Sequence, residues 1–200
     1  RLAQMTDLAF DCYAKAAQPK DYDDARADTI ATFEGILAQH APDCDVMVLR
    51  DYHAENILWL PDRQAEARAG LLDFQDALVG HRAYDLVSLI EDARRDLRPG
   101  IAETCIRHYV GATGINDGPF RAALAVLGAQ RNLRILGVFA RLAASRGKPG
   151  YVDLIPRVWA HLQADLEHPA LTPVAPLLKA MLPAPTHDVL QRLKSQCPTP

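Results

Sequence analysis

The sequence contains no apolar run that approaches the roughly 20 residues a membrane-spanning helix requires. It has no excess of basic residues either, since 22 Lys and Arg stand against 25 Asp and Glu and the net charge is -3. This balance, with a pI near 6.2, argues against a nucleic-acid-binding surface covering the whole protein. We therefore expect a soluble protein that engages neither a membrane nor a nucleic acid.

Cysteine is scarce and scattered, and no C-x-x-C spacing occurs among Cys12, Cys44, Cys105 and Cys197. Four cysteines could form two disulfides, but with no secretory signal in these 200 residues we expect reduced thiols and a cytoplasmic location. Internal repeats and low-complexity tracts are also missing. What remains, 49% hydrophobic and 24% charged residues, is typical of one globular domain that is long enough to bury a core.

The N-terminal part is predicted to be helical. The chain begins with Arg1, and apolar residues recur at helical spacing from there to a first stop near Pro19. Residues 23–40 predict a second helix, which Pro42 would end. Because a native start normally has some lead-in, we expect this sequence to be the C-terminal part of a longer polypeptide.

Short β-rich segments follow, and they predict a hairpin within residues 44–80. The segments are "DVMVL", "ENILWL" and "ARAGLLDF", with the polar turn "PDRQAE" before the last. A hairpin centred on Gln64 and Ala65 would pair Leu58 with Leu71. The same register would set Asn56 opposite Asp73, roughly 4.5–5.5 Å apart as antiparallel partners are.

The remainder is predicted to be helical again, so the expected fold class is α+β and mostly helical. Expected helices cover residues 83–95, 100–112, 118–146, 149–166 and about 171–182. The helix "FRAALAVLGAQRNLRILGVFARLAASR" is apolar almost all round, which is typical of a core helix. The tail of residues 183–200 carries several prolines, and we expect it to be loosely packed.

Three polar residues at the predicted hairpin could carry chemistry together. Asp51 ends a strand and opens a polar loop, while Asn56 and Asp73 offer hard oxygen ligands from facing strands. Mg²⁺ prefers such oxygen ligands and leaves coordination positions for substrate phosphates. A carboxylate that does not bind the metal can accept a proton from an attacking hydroxyl. The residues thus fit phosphoryl transfer, although polar residues that merely close a hairpin are the simpler alternative.

These residues also carry a family resemblance. "LRDYHAEN" followed by "GLLDFQDALVGHRAYDL" resembles the catalytic core of the aminoglycoside phosphotransferase and choline kinase family, which is related to the protein kinases. The resemblance implies that Asp51 is the catalytic base and that Asn56 and Asp73 bind Mg²⁺ for the co-substrate ATP. It further implies that Asp85 holds the catalytic loop through hydrogen bonds to its backbone.

The resemblance covers residues from about 40 to 170 and implies the C-terminal lobe of a protein-kinase-like fold. Residues 1–182 would form this lobe: helices at 1–40, the catalytic hairpin region at 44–80 and a helical subdomain at 83–182. The segments "YDLVSLIEDARRD" and "GAQRNLRILGVFARL" are similar to the bacterial branch that phosphorylates N-acetylmuramate and N-acetylglucosamine at the anomeric hydroxyl.

The chain departs from the family pattern in two ways. Leu49 stands where the family has the histidine of its H-x-D motif, so one loop-stabilising hydrogen bond is missing. The sequence also contains no glycine-rich phosphate loop and no strand lysine to hold ATP. We therefore expect the protein to need an N-terminal nucleotide-binding lobe, and this chain alone to be nearly inactive.

Other polar residues have less certain roles. His53 could support the loop or be a histidine satisfied by neighbouring backbone groups. Gln75 and Asp76 could line the cleft that binds the acceptor. Arg131 and Arg134 lie within one stripe of the apolar helix, where they could pair with acidic residues such as Asp85 or Asp92, or bind an anionic substrate group.

The expected function is transfer of the ATP γ-phosphate to a sugar hydroxyl, with N-acetylmuramate or N-acetylglucosamine as the first candidates. An aminoglycoside or another small alcohol is the alternative within the same enzyme class. A non-catalytic binding or scaffold protein, which keeps the lobe without the nucleotide site, is the alternative from a different class.

Overall fold

The computed structural model describes residues 1–198 and shows a mostly helical α+β fold, as predicted. A first helical segment, α1, comprises a 3-10 turn (Ala3–Thr6), a π-helix (Ala9–Ala14) and a last α-helical turn (Lys15–Ala17). The other helices are α2 (Asp23–His40), α3 (Ala83–Ile90), α4 (Ile101–Thr113), α5 (Asp117–Arg146), α6 (Ile155–Asp165), α7 (Ala175–Met181) and α8 (His187–Ser195). Four short strands lie between α2 and α3: β1 (Val46–Val48), β2 (Ile57–Trp59), β3 (Ala69–Leu71) and β4 (Leu78–Gly80).

Helix α5 is the centre of the fold and confirms the predicted core helix. The Asn116 side chain caps its start by accepting a hydrogen bond from the Gly118 amide at 3.2 Å. Gly147, at a φ of +60°, ends it in the left-handed conformation that glycine adopts without strain. Buried residues occur on all sides of α5, because α1, α2, α3 and α6 pack around it.

A small apolar cluster joins the strands to this centre. It contains Val48 at the end of β1, Tyr84 and Val87 of α3, and Phe120 and Leu127 of α5. Val48, Val87 and Leu127 are each at most 2% exposed. The end of β1 and the first turns of α3 are therefore held against the same rigid helix, and the loop that follows β1 starts from a well-defined position.

The four strands form two antiparallel pairs rather than one sheet. β1 pairs with β4, where Met47 lies opposite Val79, and β2 pairs with β3, where Leu58 lies opposite Gly70. The predicted hairpin between β2 and β3 is confirmed, but its register was wrong by one residue. The predicted partner of Leu58 was Leu71, whereas the structure pairs Leu71 with Ile57.

The turn explains the shift in register. The predicted two-residue centre is replaced by a longer connection that ends in a 3-10 helix (Ala65–Arg68), with Ala65 at a φ of +48°. The Leu60 amide donates to the Arg68 carbonyl at 2.8 Å, so the connection is centred on Gln64 alone. Because turn length sets hairpin register, every partner moves by one position.

Most predicted helices are present, with differences at their ends. The helix expected over residues 83–95 already ends at Ile90, where the Asp92 carboxylate accepts from the Arg94 amide at 2.9 Å and turns the chain. The helix expected over residues 149–166 is divided into a 3-10 helix (Pro149–Leu154) and α6. A 3-10 helix (Pro169–Leu171) also precedes α7.

The C-terminal tail differs from the expectation of loose packing. Helix α8 is capped at its start by Thr186, whose hydroxyl accepts from the Val189 amide, and it buries Leu193 to 2% exposure. Arg192 donates to the Ala17 carbonyl at 2.5 Å and ties α8 to the end of α1. Pro183, Pro185 and Pro198 lie outside α8, so they do not interrupt its amphipathic sequence. Residues 199 and 200 of the predicted tail lie outside the described residues.

Each helix within residues 1–198 is too short or too polar to cross a lipid bilayer. The four cysteines are free.

The close contact between α1 and α5 at Gly137 gives a prediction for stability. A Cβ atom on Gly137 of α5 would lie 2.1 Å from the Leu8 carbonyl oxygen and 2.6 Å from the Leu8 Cβ. Gly137→Ala should therefore push α1 away from α5 and lower the free energy of unfolding by about 3 kcal/mol, measured by urea denaturation.

Gly35→Ala is the matched control, because Gly35 also lies within a helix but a Cβ atom added there would have no other atom within 4 Å. There the helix propensity of alanine should raise stability by about 0.5–1 kcal/mol. Equal effects of the two substitutions would contradict the close α1–α5 contact.

Candidate active site

The loop between β1 and β2 carries the predicted base, and the Asp85 carboxylate holds its first half. The Leu49 amide donates to Asp85 Oδ2 at 2.7 Å and the Arg50 amide donates to Oδ1 at 3.0 Å. Arg50 has a φ of +72°, a conformation that is strained for a residue other than glycine. These two hydrogen bonds compensate for that strain and present Asp51, which is exposed, at the start of the loop.

Burial raises the pKa of Asp85, and the two backbone N–H groups oppose this effect by favouring the charged carboxylate. The nearby Asp51 carboxylate also raises the pKa of Asp85. The two carboxylates therefore lie close enough to interact, with the loop backbone between them.

A second carboxylate, Asp92, holds the other half of the loop. Asp92 is only 2% exposed, and its Oδ2 accepts from the Ala54 amide at 3.2 Å. Ala54 begins a 3-10 turn (Ala54–Asn56) for which the preceding His53 provides no side-chain cap. Asp92 supplies the missing acceptor from outside the turn, so the turn that carries Asn56 is fixed by a side chain beyond the end of α3.

The Asn56 side chain folds back on the loop. Its Nδ2 donates to the Asp51 carbonyl at 2.8 Å and lies 3.4 Å from His53 Nε2. This orientation of the amide, assigned from its hydrogen bonds, leaves the Asn56 amide oxygen for another partner. His53 is partly buried, and its Nδ1 has no hydrogen-bond partner among the described residues.

Asp73 follows β3 and comes beside Asn56 across the strand pair. The Leu72 amide donates to the Asn56 carbonyl at 2.9 Å, which sets Asp73 one residue beyond the position facing Asn56. Asp73 is exposed and has a φ of +56°, a second strained position next to the loop. The strand pairing thus brings together the neighbourhood that the sequence predicted, despite the shifted register.

The side chains of Asp51, Asn56 and Asp73 offer carboxylate and amide oxygens as possible metal ligands. The exposed Asp73 carboxylate and the Asn56 amide oxygen match the hard-oxygen preference of Mg²⁺, which retains waters or substrate phosphates in its remaining positions, and the Asp51 carboxylate is left to accept a proton. The side chains of Asp51, Asn56 and Asp73 therefore suit a metal-assisted transfer of a phosphoryl group.

Gln75 and Asp76 lie on the exposed segment after Asp73. Gln75 Nε2 donates to Asp73 Oδ1 at 2.7 Å, so Gln75 orients that carboxylate. Asp76 is exposed.

The two candidate arginines occupy different environments. Arg131 is 8% exposed and donates to the Glu91 carbonyl at 3.4 Å, among the acidic groups Glu91 and Asp92. Burial lowers its pKa, and Tyr84, Glu91 and Asp92 oppose that effect. This interior position favours the alternative in which Arg131 pairs with acidic residues of the fold. Arg134, one turn further along α5, is partly buried.

The structure contains an acidic pair, the partly buried Glu91 and the buried Asp165, that the sequence analysis missed. Asn132 Nδ2 donates to Glu91 Oε2 at 2.8 Å and to Asp165 Oδ2 at 3.0 Å, so one amide bridges two carboxyl groups. Gly128 makes this possible, because a Cβ there would lie 2.8 Å from Asp165 Oδ2. An acidic residue at the end of the apolar stripe of α6 was the available signal for this site.

The pKa values of both carboxyl groups of the pair are raised. Burial raises the pKa of Glu91 to about 7, and the hydrogen bond from Asn132 opposes the shift. Burial, and then the charge of Glu91, raise the pKa of Asp165 well above its ordinary value. Because two like charges in contact are costly, the pair holds a shared proton near neutral pH.

Comparison with known proteins decides the family. Residues 3–124 match the phosphotransferase enzyme family. The chain belongs to this family. The matched range covers α1 to the start of α5 and includes the whole loop and both strand pairs. The fold described above is therefore that of a member of the phosphotransferase enzyme family.

Several relatives share one name, N-acetylmuramate/N-acetylglucosamine kinase. The protein from Caulobacter vibrioides is 42% identical over 163 residues, which is 81% of this chain and 45% of that protein. The protein from Pseudomonas aeruginosa is 35% identical over 144 residues, 68% of this chain and 41% of that protein. The protein from Neisseria meningitidis is 33% identical over 141 residues, which is 66% of this chain and 41% of that protein. The chain spans about half the length of the curated relatives it matches.

The acidic pair gives a prediction for the pH dependence of stability. A carboxyl group whose pKa is higher in the folded protein stabilises it fully below its unfolded pKa, and this contribution is lost as the pH rises through the folded value. For Glu91, the loss should fall between pH 4.5 and about 7. Between pH 5.5 and 8, the contribution to the free energy of unfolding should decrease by on the order of 1–2 kcal/mol.

The comparison of wild type with Glu91→Gln reports the titration of the acidic pair, because the glutamine keeps the amide contact, cannot titrate and removes the charge that raises the pKa of Asp165. Partly buried His161, whose pKa is lowered, acts in the opposite direction in both proteins and cancels. Urea denaturation at the two pH values should show a stability change with pH that is more negative in wild type than in the variant. Identical changes would contradict the shared proton.

Proposed function

We propose that this chain is the acceptor-binding lobe of an ATP-dependent kinase that phosphorylates a hydroxyl of an amino sugar, N-acetylmuramate or N-acetylglucosamine. The observation that carries the proposal is a loop anchored by Asp85 that presents Asp51 and Asn56, with Asp73 brought beside Asn56 by the β2–β3 pairing. The names of the relatives support the choice of sugar.

In this proposal Asp51 is the catalytic base. Its exposed carboxylate accepts the proton of the sugar hydroxyl as the oxygen attacks the γ-phosphorus of ATP, while Asp85 and His53 keep the loop in position. Asn56 and Asp73 would hold Mg²⁺, which when bound neutralises charge on the ATP phosphates. Gln75 keeps the Asp73 carboxylate oriented towards that position, and Asp76 lines the acceptor side.

The same proposal requires a nucleotide-binding lobe. Several large apolar side chains are exposed on the two strand pairs, including Met47 (73%), Trp59 (67%) and Val79 (66%). Exposed apolar surface of this kind commonly marks an interface. We propose that a nucleotide-binding lobe covers it and supplies the contacts to ATP, since these relatives are about twice as long as the part that matches.

Two alternatives from the sequence remain less well supported. An aminoglycoside or another small alcohol as acceptor would use the same base and metal ligands, but none of the named relatives suggests it. A non-catalytic scaffold would be suggested by Leu49 in the histidine position. However, the Asp85 carboxylate accepts a hydrogen bond from the Leu49 backbone amide, so the loop is anchored without that histidine.

We propose a cytoplasmic location for the protein, because its four free thiols suit a reducing compartment.

The base assignment is tested by Asp51→Asn in the full-length protein. The amide cannot accept the proton, and the exposed position means that the fold should be unaffected. We expect kcat/KM for the preferred amino sugar to fall by at least 100-fold, in line with the usual contribution of general-base catalysis, in a coupled assay of ADP release.

Asp62→Asn is the control, since Asp62 is an exposed carboxylate on the β2–β3 connection and lies outside the proposed machinery. It should keep wild-type activity. Activity of Asp51→Asn within tenfold of wild type would contradict the assignment of the base.

A further inference from the structure

A pocket of about 420 Å³ lies beside the loop and is not explained by the proposed chemistry. Its lining residues are Arg94, Lys148, Gly150, Tyr151 and Leu154. Arg94 connects the pocket to the loop, because its Nε lies 3.3 Å from the Glu55 carboxylate. Glu55 directly precedes Asn56. The Arg94–Glu55 ion pair therefore links the pocket to the residue next to the proposed metal ligand.

The carboxylates of residues 1–198 do not fully neutralise the positive charge of the pocket. Arg94 shares its charge with Glu55, whose side chain is 52% exposed. Lys148 is exposed, and within residues 1–198 it forms no ion pair with a carboxylate. Two cations against one carboxylate leave a net attraction for an anionic group at the pocket.

The walls of the pocket suit a sugar ring. Tyr151 is held by a tilted contact with Phe139, with ring centroids 5.1 Å apart, and Leu154 adds an apolar surface on the same 3-10 helix. The 3-10 helix is fixed in turn by the apolar core, in which Val152 is fully buried. An aromatic wall with cations at its edge matches a ligand that has an apolar ring face and a carboxylate.

We propose that this pocket binds the carboxylate of an acidic amino sugar and so favours N-acetylmuramate over N-acetylglucosamine, which lacks the lactyl carboxylate. The inference rests on the proposed function and names the substrate class of the same site. In this proposal the Lys148 ammonium attracts the carboxylate of the sugar, and Tyr151 contacts the sugar ring. Arg94 positions the carboxylate relative to the loop. Arg131 has no part in this recognition, because it lies in the interior.

Lys148→Met in the full-length protein tests the proposal, since it removes the charge and keeps the aliphatic stem. We expect KM for N-acetylmuramate to rise about fivefold to tenfold with kcat unchanged, because a binding interaction common to ground and transition state is lost. The kinetic constants for N-acetylglucosamine should stay within about twofold of wild type. Lys179→Met is the control, because Lys179 is an exposed lysine that pairs with Glu167 outside the pocket. This substitution should leave KM and kcat unchanged for both sugars.

Direct binding of the two sugars, measured by titration calorimetry, separates this inference from the proposed function. If the protein transfers no phosphate but Lys148→Met still weakens N-acetylmuramate alone, the subsite is supported and the kinase proposal fails. An equal loss for both sugars, or no loss for N-acetylmuramate, would overturn the subsite. If Asp51→Asn abolishes phosphorylation of both sugars while their binding is unchanged, the kinase proposal is supported independently of the subsite.

Discussion

The hydrogen bonds from the Leu49 and Arg50 amides to the Asp85 carboxylate are the interaction on which the site depends. Without an acceptor at that point, Arg50 would have no compensation for its φ of +72°. The next residue, Asp51, would then lose its fixed direction. One carboxylate therefore converts a flexible strand end into a defined position for a reactive group, and burial makes each of its hydrogen bonds harder to replace by water.

Helix α3 extends this control to the rest of the loop. Asp85 in its first turn and Asp92 just beyond its end are seven positions apart, and they hold Arg50 and Ala54 respectively. The helix itself is seated on α5 through Val87 and its neighbours. One carboxylate in the first turn of α3 and one just beyond its end thus set the shape of the loop, and the apolar core sets the position of the helix. This arrangement makes the site tolerant of Leu49, which contributes only its backbone.

Local patterns in the sequence predicted much of this, because they reflect local physics. Helical periodicity located α2 and α5, and the D-x-x-x-x-N pattern with a later aspartate located the polar site. The hairpin register was missed by one residue because it depends on the conformation of the turn at Ala65. The bridge from Asn132 to Glu91 and Asp165 joins three distant segments, and no sequence spacing encodes such a contact. The choice between the two alternatives for Arg131 was equally out of reach, since both place it on the same stripe of the helix.

Amide hydrogen exchange at Leu49 and Arg50, resolved residue by residue by NMR, tests the anchoring of the loop most directly. These amides belong to no helix or strand, so protection there can come only from the Asp85 carboxylate. We predict slow exchange at both amides in wild type and an increase of at least tenfold in Asp85→Ala, with the amides of α5 unchanged as an internal reference. Exchange at Leu49 and Arg50 that is equally fast in both proteins would contradict the anchored loop.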